Sequence, residues 1–245
     1  MGEHFVLVSD RPMIKWLIKR GLKRFGLQIE RLQQDAGFET SNPIDLYNTE
    51  EKFNDIWKYL VGFTLVDKNR CFMIYQFARQ VGHIKGDVVE VGVYKGGTAK
   101  LLAKVCESSG KTVHLFDTFS GMPPTDPAKD CHKEGDFKDT SLESVKNYLS
   151  DCGNILFYEE LFPITAKPLE TMKFCLVHVD VDIYRSVMDC CNFFYPRLQR
   201  GGVLIFDDYG FVSCPGAKKA VDNFFSEKRE CPLYLPTGQC IVSKI

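Results

Sequence analysis

FCLVHVDVDIYRSVMDCCNFFYPRLQRGGVLIFDDYGF, residues 174–211, reads as a strand, a helix and a second strand. Residues 174–182 open on an apolar run with valines at alternate positions and close on Asp180 and Asp182. Residues 184–198 carry helical spacing, and Gly201-Gly202 turn the chain into GVLIFDD. The same alternation recurs upstream. VVEVGV (88–93) precedes a helical pattern through Leu101, Leu102 and Val105, and TVHLF (112–116) runs into Asp117. A polar stretch with Pro123, Pro124 and Pro127 follows, then a helix over 141–151 and a short strand over 155–158. Downstream, 215–225 reads as a helix, and 232–235 with 239–245 as a β-hairpin. Strands alternating with helices predict an α/β fold: a Rossmann-like doubly wound sheet, mostly parallel, covered on both faces. The C-terminal hairpin adds an antiparallel edge.

The chain has 245 residues, 44% of them hydrophobic, enough for a full core. Its formal net charge of −1 supplies no global field for nucleic acid or a membrane. No apolar run approaches the ~20 residues of a membrane span, and residues 1–10 lack the pattern of a signal peptide. The ten cysteines include no C-x-x-C, and several lie in apolar runs. They read as reduced thiols in a cytoplasmic protein. Residues 1–60 form a separate N-terminal helical extension to a domain over 61–245. Within it, PMIKWLIKRGLKRF (12–25) interleaves apolar and basic residues. Such a helix can lie on an anionic membrane surface. The preferred reading packs its apolar stripe on the body or on a second subunit.

Glu90, Gly92, Gly96 and Gly97 form E-x-G-x-x-x-G-G at a strand-to-helix turn. Glycines there let the backbone approach a ligand in front of a helix N-terminus. Asp117, at the next strand end, is placed to accept ribose hydroxyls. Together they point to an adenosine-containing ligand, although the spacing is not that of a dinucleotide binder. Glu90 inside an apolar strand needs a partner, either a turn amide or a cationic group of the ligand.

Asp180 and Asp182 end one strand, and Asp207 and Asp208 end its expected neighbour. Crowded carboxylates repel, and a hard divalent cation relieves them. All-oxygen ligation suits Mg²⁺, Mn²⁺ or Ca²⁺. Strand alternation puts Asp180 and Asp182 on one side. Helix capping explains one or two such aspartates, not four.

VVEVGVYKGGTAKLLA, HLFDTFSGMP and the D-x-D-x-Y-x-S block followed by G-G-x-x-I-x-D-D-Y together resemble the macrocin O-methyltransferase (TylF-type) family, from about Phe63 onward. The resemblance implies a class I methyltransferase fold. It further implies an S-adenosyl-L-methionine- and Mg²⁺-dependent O-methyltransferase acting on a sugar hydroxyl of a glycosylated natural product or polysaccharide. It implies metal ligands at Asp180, Asp207 and Asp208 and a general base at Asp182. Donor contacts fall on Glu90, Gly92, Val93, Tyr94, Gly96, Gly97 and Thr98, with Asp117, Thr118 and Ser120 near the ribose. Such enzymes are often oligomers, so a homo-oligomer is expected too. The sequence departs from the family at Glu160-Leu161 before Phe162-Pro163, at Val181 of the D-V-D, and in the acceptor-side loop 123–139.

His132, in that loop, is a candidate assisting base, whereas His178, inside a strand, reads as a core histidine. Tyr184 and Arg185 are candidates to shape the acceptor pocket. Two rival readings remain: a catechol-type O-methyltransferase, which aromatic walls in the acceptor pocket would favour, and a non-catalytic module that binds donor and metal.

Overall fold

The computed structural model describes residues 49–245. The basic segment 12–25 and the loop 33–48 lie outside the described residues. Six α-helices are described: α1 Glu51–Leu60, α2 Lys68–Gln80, α3 Gly97–Cys106, α4 Leu142–Tyr148, α5 Tyr184–Phe194 and α6 Pro215–Phe225. The strands are β1 Asp87–Val91, β2 Val113–Asp117, β3 Ile155–Glu159, β4 Phe174–Val179, β5 Leu198–Phe206, β6 Leu233–Tyr234 and β7 Cys240–Ser243. They form one sheet in the order β3-β2-β1-β4-β5-β7-β6. The pairs from β3 to β5 are parallel, while β7 runs antiparallel to both β5 and β6. This is the doubly wound arrangement the alternation predicts, with the C-terminal hairpin as its antiparallel edge.

The chain enters at β1, builds outward to β3, then returns to lay β4 on the other side of β1. That reversal opens a crevice beyond the carboxyl ends of β1 and β4, where ligands sit in open α/β sheets. Strands β4 and β5 are buried along almost their full apolar length. Both faces therefore need cover, which explains runs without a polar residue at every second place. One face packs Val88, Leu115, Leu176 and Ile205 against helices α1 to α3. The other packs Val89, Phe116, Val177 and Phe206 against α5 and α6. Each large side chain buried in this way contributes about 1.5–3 kcal/mol.

Helix α1 belongs to this core. Phe53 and Leu60 are fully buried, and the Phe53 ring meets Phe72 of α2 edge-on at 5.0 Å. The body therefore begins before the boundary drawn at residue 60. Helix α2 starts where the Asp67 side chain accepts from the amides of Asn69 and Arg70, an N-cap that satisfies two otherwise orphaned donors.

Strand β4 ends at Val179, earlier than the sequence suggests. The Asp180 amide still donates to the Val91 carbonyl at 2.9 Å, but Asp182 adopts φ 56°. That left-handed turn breaks the alternation, so Asp180 and Asp182 enter different clusters rather than facing one side.

Candidate functional site

The turn after β1 is held by one carboxylate. Asp117 Oδ2 accepts from the amides of Val93 at 2.7 Å and Tyr94 at 2.9 Å, and its Oδ1 accepts from Phe119 at 2.7 Å. Tyr94 and Phe119 both sit at φ 51°, a conformation that costs a non-glycine residue energy and persists only when its surroundings impose it. Oδ2 thus uses both of its lone pairs, and Oδ1 keeps one for a further donor. Gly92, at φ 90°, lies so near β4 that an added Cβ would stand 1.8 Å from the Asp180 carbonyl oxygen. Gly96 and Gly97 do something else. A Cβ on Gly96 would press on Val145 and Tyr148, and one on Gly97 would strike Phe63 and Thr64. Their smallness serves helix packing.

Behind the crevice a buried polar chain crosses three strands. Glu90 Oε1 pairs with His178 Nδ1 at 2.9 Å, and His178 Nε2 faces Asp207 Oδ1 at 3.4 Å. Gln239 donates to that same Asp207 oxygen at 2.8 Å, while Arg70 forms an ion pair with Asp207 Oδ2. Parallel register sets Glu90 beside His178, so the partner of Glu90 is a histidine rather than a turn amide. Glu90 Oε2 is buried without a hydrogen-bond partner among the described residues. Burial opposes charge on His178, but its hydrogen bonds to Asp207 and Glu90 prevail and raise its pKa to about 10. Burial likewise opposes charge on Asp207, yet His178, Arg70 and Gln239 hold its carboxyl below the usual range.

The neighbouring acids are not compensated in this way. Burial, then the charge of Asp207, pushes Asp180 well above the usual carboxylate range. Asp208 is pushed well up by burial, then by Asp180, Asp182 and Asp207. Its Oδ2 accepts, among the described residues, only the Asp182 amide, at 3.1 Å. Among the described residues no hydrogen bond reaches the Asp180 carboxylate. Crowded, under-bonded carboxylate oxygens at a cavity wall fit a hard divalent cation. Asp207 fits less freely, because Arg70 already holds one of its oxygens.

The acceptor-side loop is pinned over these acids. Asp130 Oδ1 accepts from the Tyr184 amide at 2.8 Å, which caps α5 from a distant segment. This fixes His132 nearby. Its Nε2 lies 3.6 Å from Asp182 Oδ1, and its Nδ1 lies 3.3 Å from Asp136 Oδ2. Cys214, just before α6, directs its thiol to Asp182 Oδ1 at 3.3 Å. Burial raises Asp182, against the opposing pull of His132 and the Cys214 hydrogen bond.

One cavity of about 290 Å³ joins these parts. Gly92, Val93, Tyr94, Thr98, Asp117 and Thr118 line one side, while Asp180, Asp182, Asp208 and His132 line the other. Glu90, Gly96, Gly97, Ser120 and Asp207 are not among its lining residues. Ser120 borders a shallow second depression with Glu159 and Ile164. Tyr184 and Arg185 do not reach the cavity either, and Ser186 does. Arg70, Phe137, Phe211 and Cys214 also line the wall, with the Arg70 guanidinium 4.7 Å from the Phe211 ring centre. Nothing in the local sequence around these four marks them out.

The pattern that describes the macrocin-O-methyltransferase (TylF) family matches residues 18–233. The mycinamicin III 3''-O-methyltransferase of Micromonospora griseorubida is 31% identical over 147 residues, covering 54% of this chain and 58% of that protein. The demethyldecarbamoylnovobiocin O-methyltransferase of Streptomyces niveus is 28% identical over 179 residues, covering 66% of this chain and 67% of that protein. The chain thus spans a little over half the length of the first of these relatives. The solved structure of the O-methyltransferase NovP superposes with a TM-score of 0.65 at 25% identity, covering 74% of this chain and 82% of that one.

Proposed function

The chain belongs to the macrocin-O-methyltransferase (TylF) family, and from that premise we propose that it is an S-adenosylmethionine-dependent O-methyltransferase. Its acceptor is a hydroxyl, of a sugar in a glycosylated natural product or polysaccharide. One observation carries this reading: a single cavity has the glycine turn with Asp117 on one side and Asp180, Asp182 and Asp208 on the other. A nucleoside-bearing methyl donor and an acid-base centre are thereby brought within one molecule's reach.

The donor's sulfonium methyl is electrophilic, and the acceptor oxygen attacks it in line. Gly92 to Tyr94 and Thr98 frame the donor, and the remaining lone pair of Asp117 Oδ1 accepts from a ribose hydroxyl. The acceptor's difficulty is its proton, since an alcohol's pKa lies far above neutrality. Asp182 takes that proton. Its raised pKa makes it a stronger base than an exposed aspartate. His132, whose Nε2 lies 3.6 Å from Asp182 Oδ1, stands beside it as an assisting base. Asp180, Asp207 and Asp208 would hold Mg²⁺ or another hard divalent cation. Such an ion lowers the pKa of a bound hydroxyl and fixes its direction. Arg70 keeps Asp207 in position through its ion pair.

A second reading, an aryl acceptor with vicinal hydroxyls, is favoured by Phe137 and Phe211 in the cavity wall. Sugars and catechols offered side by side separate the two readings. The test of the site is Asp180→Ala and Asp207→Ala. Both are expected to abolish metal-dependent transfer while calorimetry still registers donor binding. Full activity of either variant in excess chelator contradicts the metal assignment.

A further inference from the structure

His132, Asp182 and Cys214 converge from three separate segments: the acceptor-side loop, the turn after β4 and the turn before α6. We infer that they form a second metal site, for a thiophilic divalent cation of the zinc class, beside the carboxylate site.

The geometry is that of a ligand set. His132 Nε2, Asp182 Oδ1 and Cys214 Sγ lie within 4.8 Å of one another. The separations are 3.3 Å from sulfur to oxygen, 3.6 Å from nitrogen to oxygen and 3.7 Å from sulfur to nitrogen. Tetrahedral zinc, with bonds of about 2.3 Å to sulfur and about 2.0–2.1 Å to nitrogen and oxygen, sets its ligands roughly 3.3–3.6 Å apart. Two further features belong to such sites. His132 turns its other nitrogen to Asp136 at 3.3 Å, the outer carboxylate that fixes a ligating imidazole and raises its basicity. All three ligands line the cavity, so a fourth position opens to solvent or a ligand.

The two sites select different ions. Asp180, Asp207 and Asp208 offer oxygen alone, which suits a hard cation. Imidazole and thiolate suit zinc or cobalt. On binding, the Cys214 thiol loses its proton to solvent and a sulfur–metal bond forms. The ion also occupies Asp182 Oδ1. That consequence rests on Asp182 being the base of the proposed reaction: zinc then inhibits transfer. The binding itself does not rest on it.

Cobalt(II) titration of the full-length protein tests the site without donor or acceptor. We expect one equivalent to bind with an intense thiolate-to-cobalt absorption in the near ultraviolet and to be displaced by zinc. Cys214→Ser removes the band. His132→Ala and Asp136→Asn weaken binding, the latter by about 10- to 100-fold. Asp180→Asn keeps the band, and so does the double variant Cys131→Ser with Cys231→Ser, which removes the two exposed thiols. Circular dichroism verifies that each variant is folded. If Cys214→Ser fails to fold, undiminished cobalt affinity in His132→Ala overturns the site by itself. No band in the wild type, or a band surviving in folded Cys214→Ser, reduces the cluster to a thiol–carboxylate hydrogen bond. Zinc that displaces the cobalt band yet leaves methyl transfer untouched contradicts Asp182 as base and leaves the metal site standing.

Discussion

Gly92→Ala is the sharpest perturbation the geometry offers. Gly92 lies between the donor turn and β4 at φ 90°, and its new Cβ would stand 1.8 Å from the Asp180 carbonyl oxygen and 2.7 Å from its carbon. Real Cβ atoms keep at least about 3 Å, so the Asp180 backbone must retreat by roughly 1 Å in a packed sheet end. The left-handed φ costs an alanine about 1–2 kcal/mol, and the overpacking costs about 1–3 kcal/mol more. At about 2–4 °C per kcal/mol for a domain of this size, Tm falls by roughly 4–20 °C. The retreat also displaces Asp180 relative to Asp208, because β4 lies between β1 and β5, and a shift near 1 Å costs about 10²-fold in rate. Differential scanning calorimetry and steady-state transfer read the two effects. Gly82→Ala is the control. Its Cβ meets nothing within 4 Å and its φ is not left-handed, so it is neutral or stabilises by less than about 1 kcal/mol. A Gly92→Ala protein with wild-type Tm and rate refutes the claim that β1 and β4 meet so closely at the site.

Three further outcomes follow from the same contacts. His178→Ala strands the Glu90 and Asp207 carboxylates in the core, so thermal melts should show a loss of about 3–5 kcal/mol; a Tm unchanged within error would mean the buried chain is not ionic. Without divalent metal, wild-type Tm should fall as pH rises from 6 to 9. His178 contributes fully below its unfolded value of about 6.5 and loses that contribution as pH climbs through about 10, and the raised Asp180 and Asp208 resist ionisation in the same direction. Saturating Mg²⁺ flattens the slope, and a slope that rises in chelator contradicts the charge assignment. Asp117→Ala removes the acceptor of three turn amides, so calorimetry should find donor binding at least about tenfold weaker; unchanged affinity would separate the turn from the donor.

The sheet was legible because its signal is local. Val88 to Val93 and Phe174 to Val179 are short apolar runs between turn residues, and such runs recur with helical spacing between them. The crowding of aspartates followed from two neighbouring strand ends, which the parallel register places side by side. What stayed hidden depends on contacts far apart in sequence. Arg70 reaches Asp207 across 137 positions, and Asp130 caps a helix 54 positions on. Neither residue type nor spacing announces such partners. Cys214 read as one apolar thiol among many, because its closeness to Asp182 arises only when α6 packs against α5. Strand alternation misjudged Asp182 for a specific reason: the strand stops at Val179, and a left-handed residue turns the second aspartate toward His132. The glycines after β1 looked alike in sequence, yet only Gly92 is pressed against the neighbouring strand end, and Gly96 and Gly97 answer to α4 and the α1–α2 connection.

The central claim is that one cavity holds a methyl donor against a hydroxyl whose proton passes to Asp182. The most direct measurement supplies S-adenosylmethionine with a trideuterated methyl group, Mg²⁺ and a panel of glycosides and catechols, read by mass spectrometry. The account predicts that the wild type adds one labelled methyl to a hydroxyl, with glycosides ahead of catechols. Asp182→Asn should bind the donor as tightly and turn over about 10²- to 10⁴-fold more slowly. Undiminished turnover in Asp182→Asn, or label appearing on nitrogen, carbon or sulfur rather than oxygen, contradicts it.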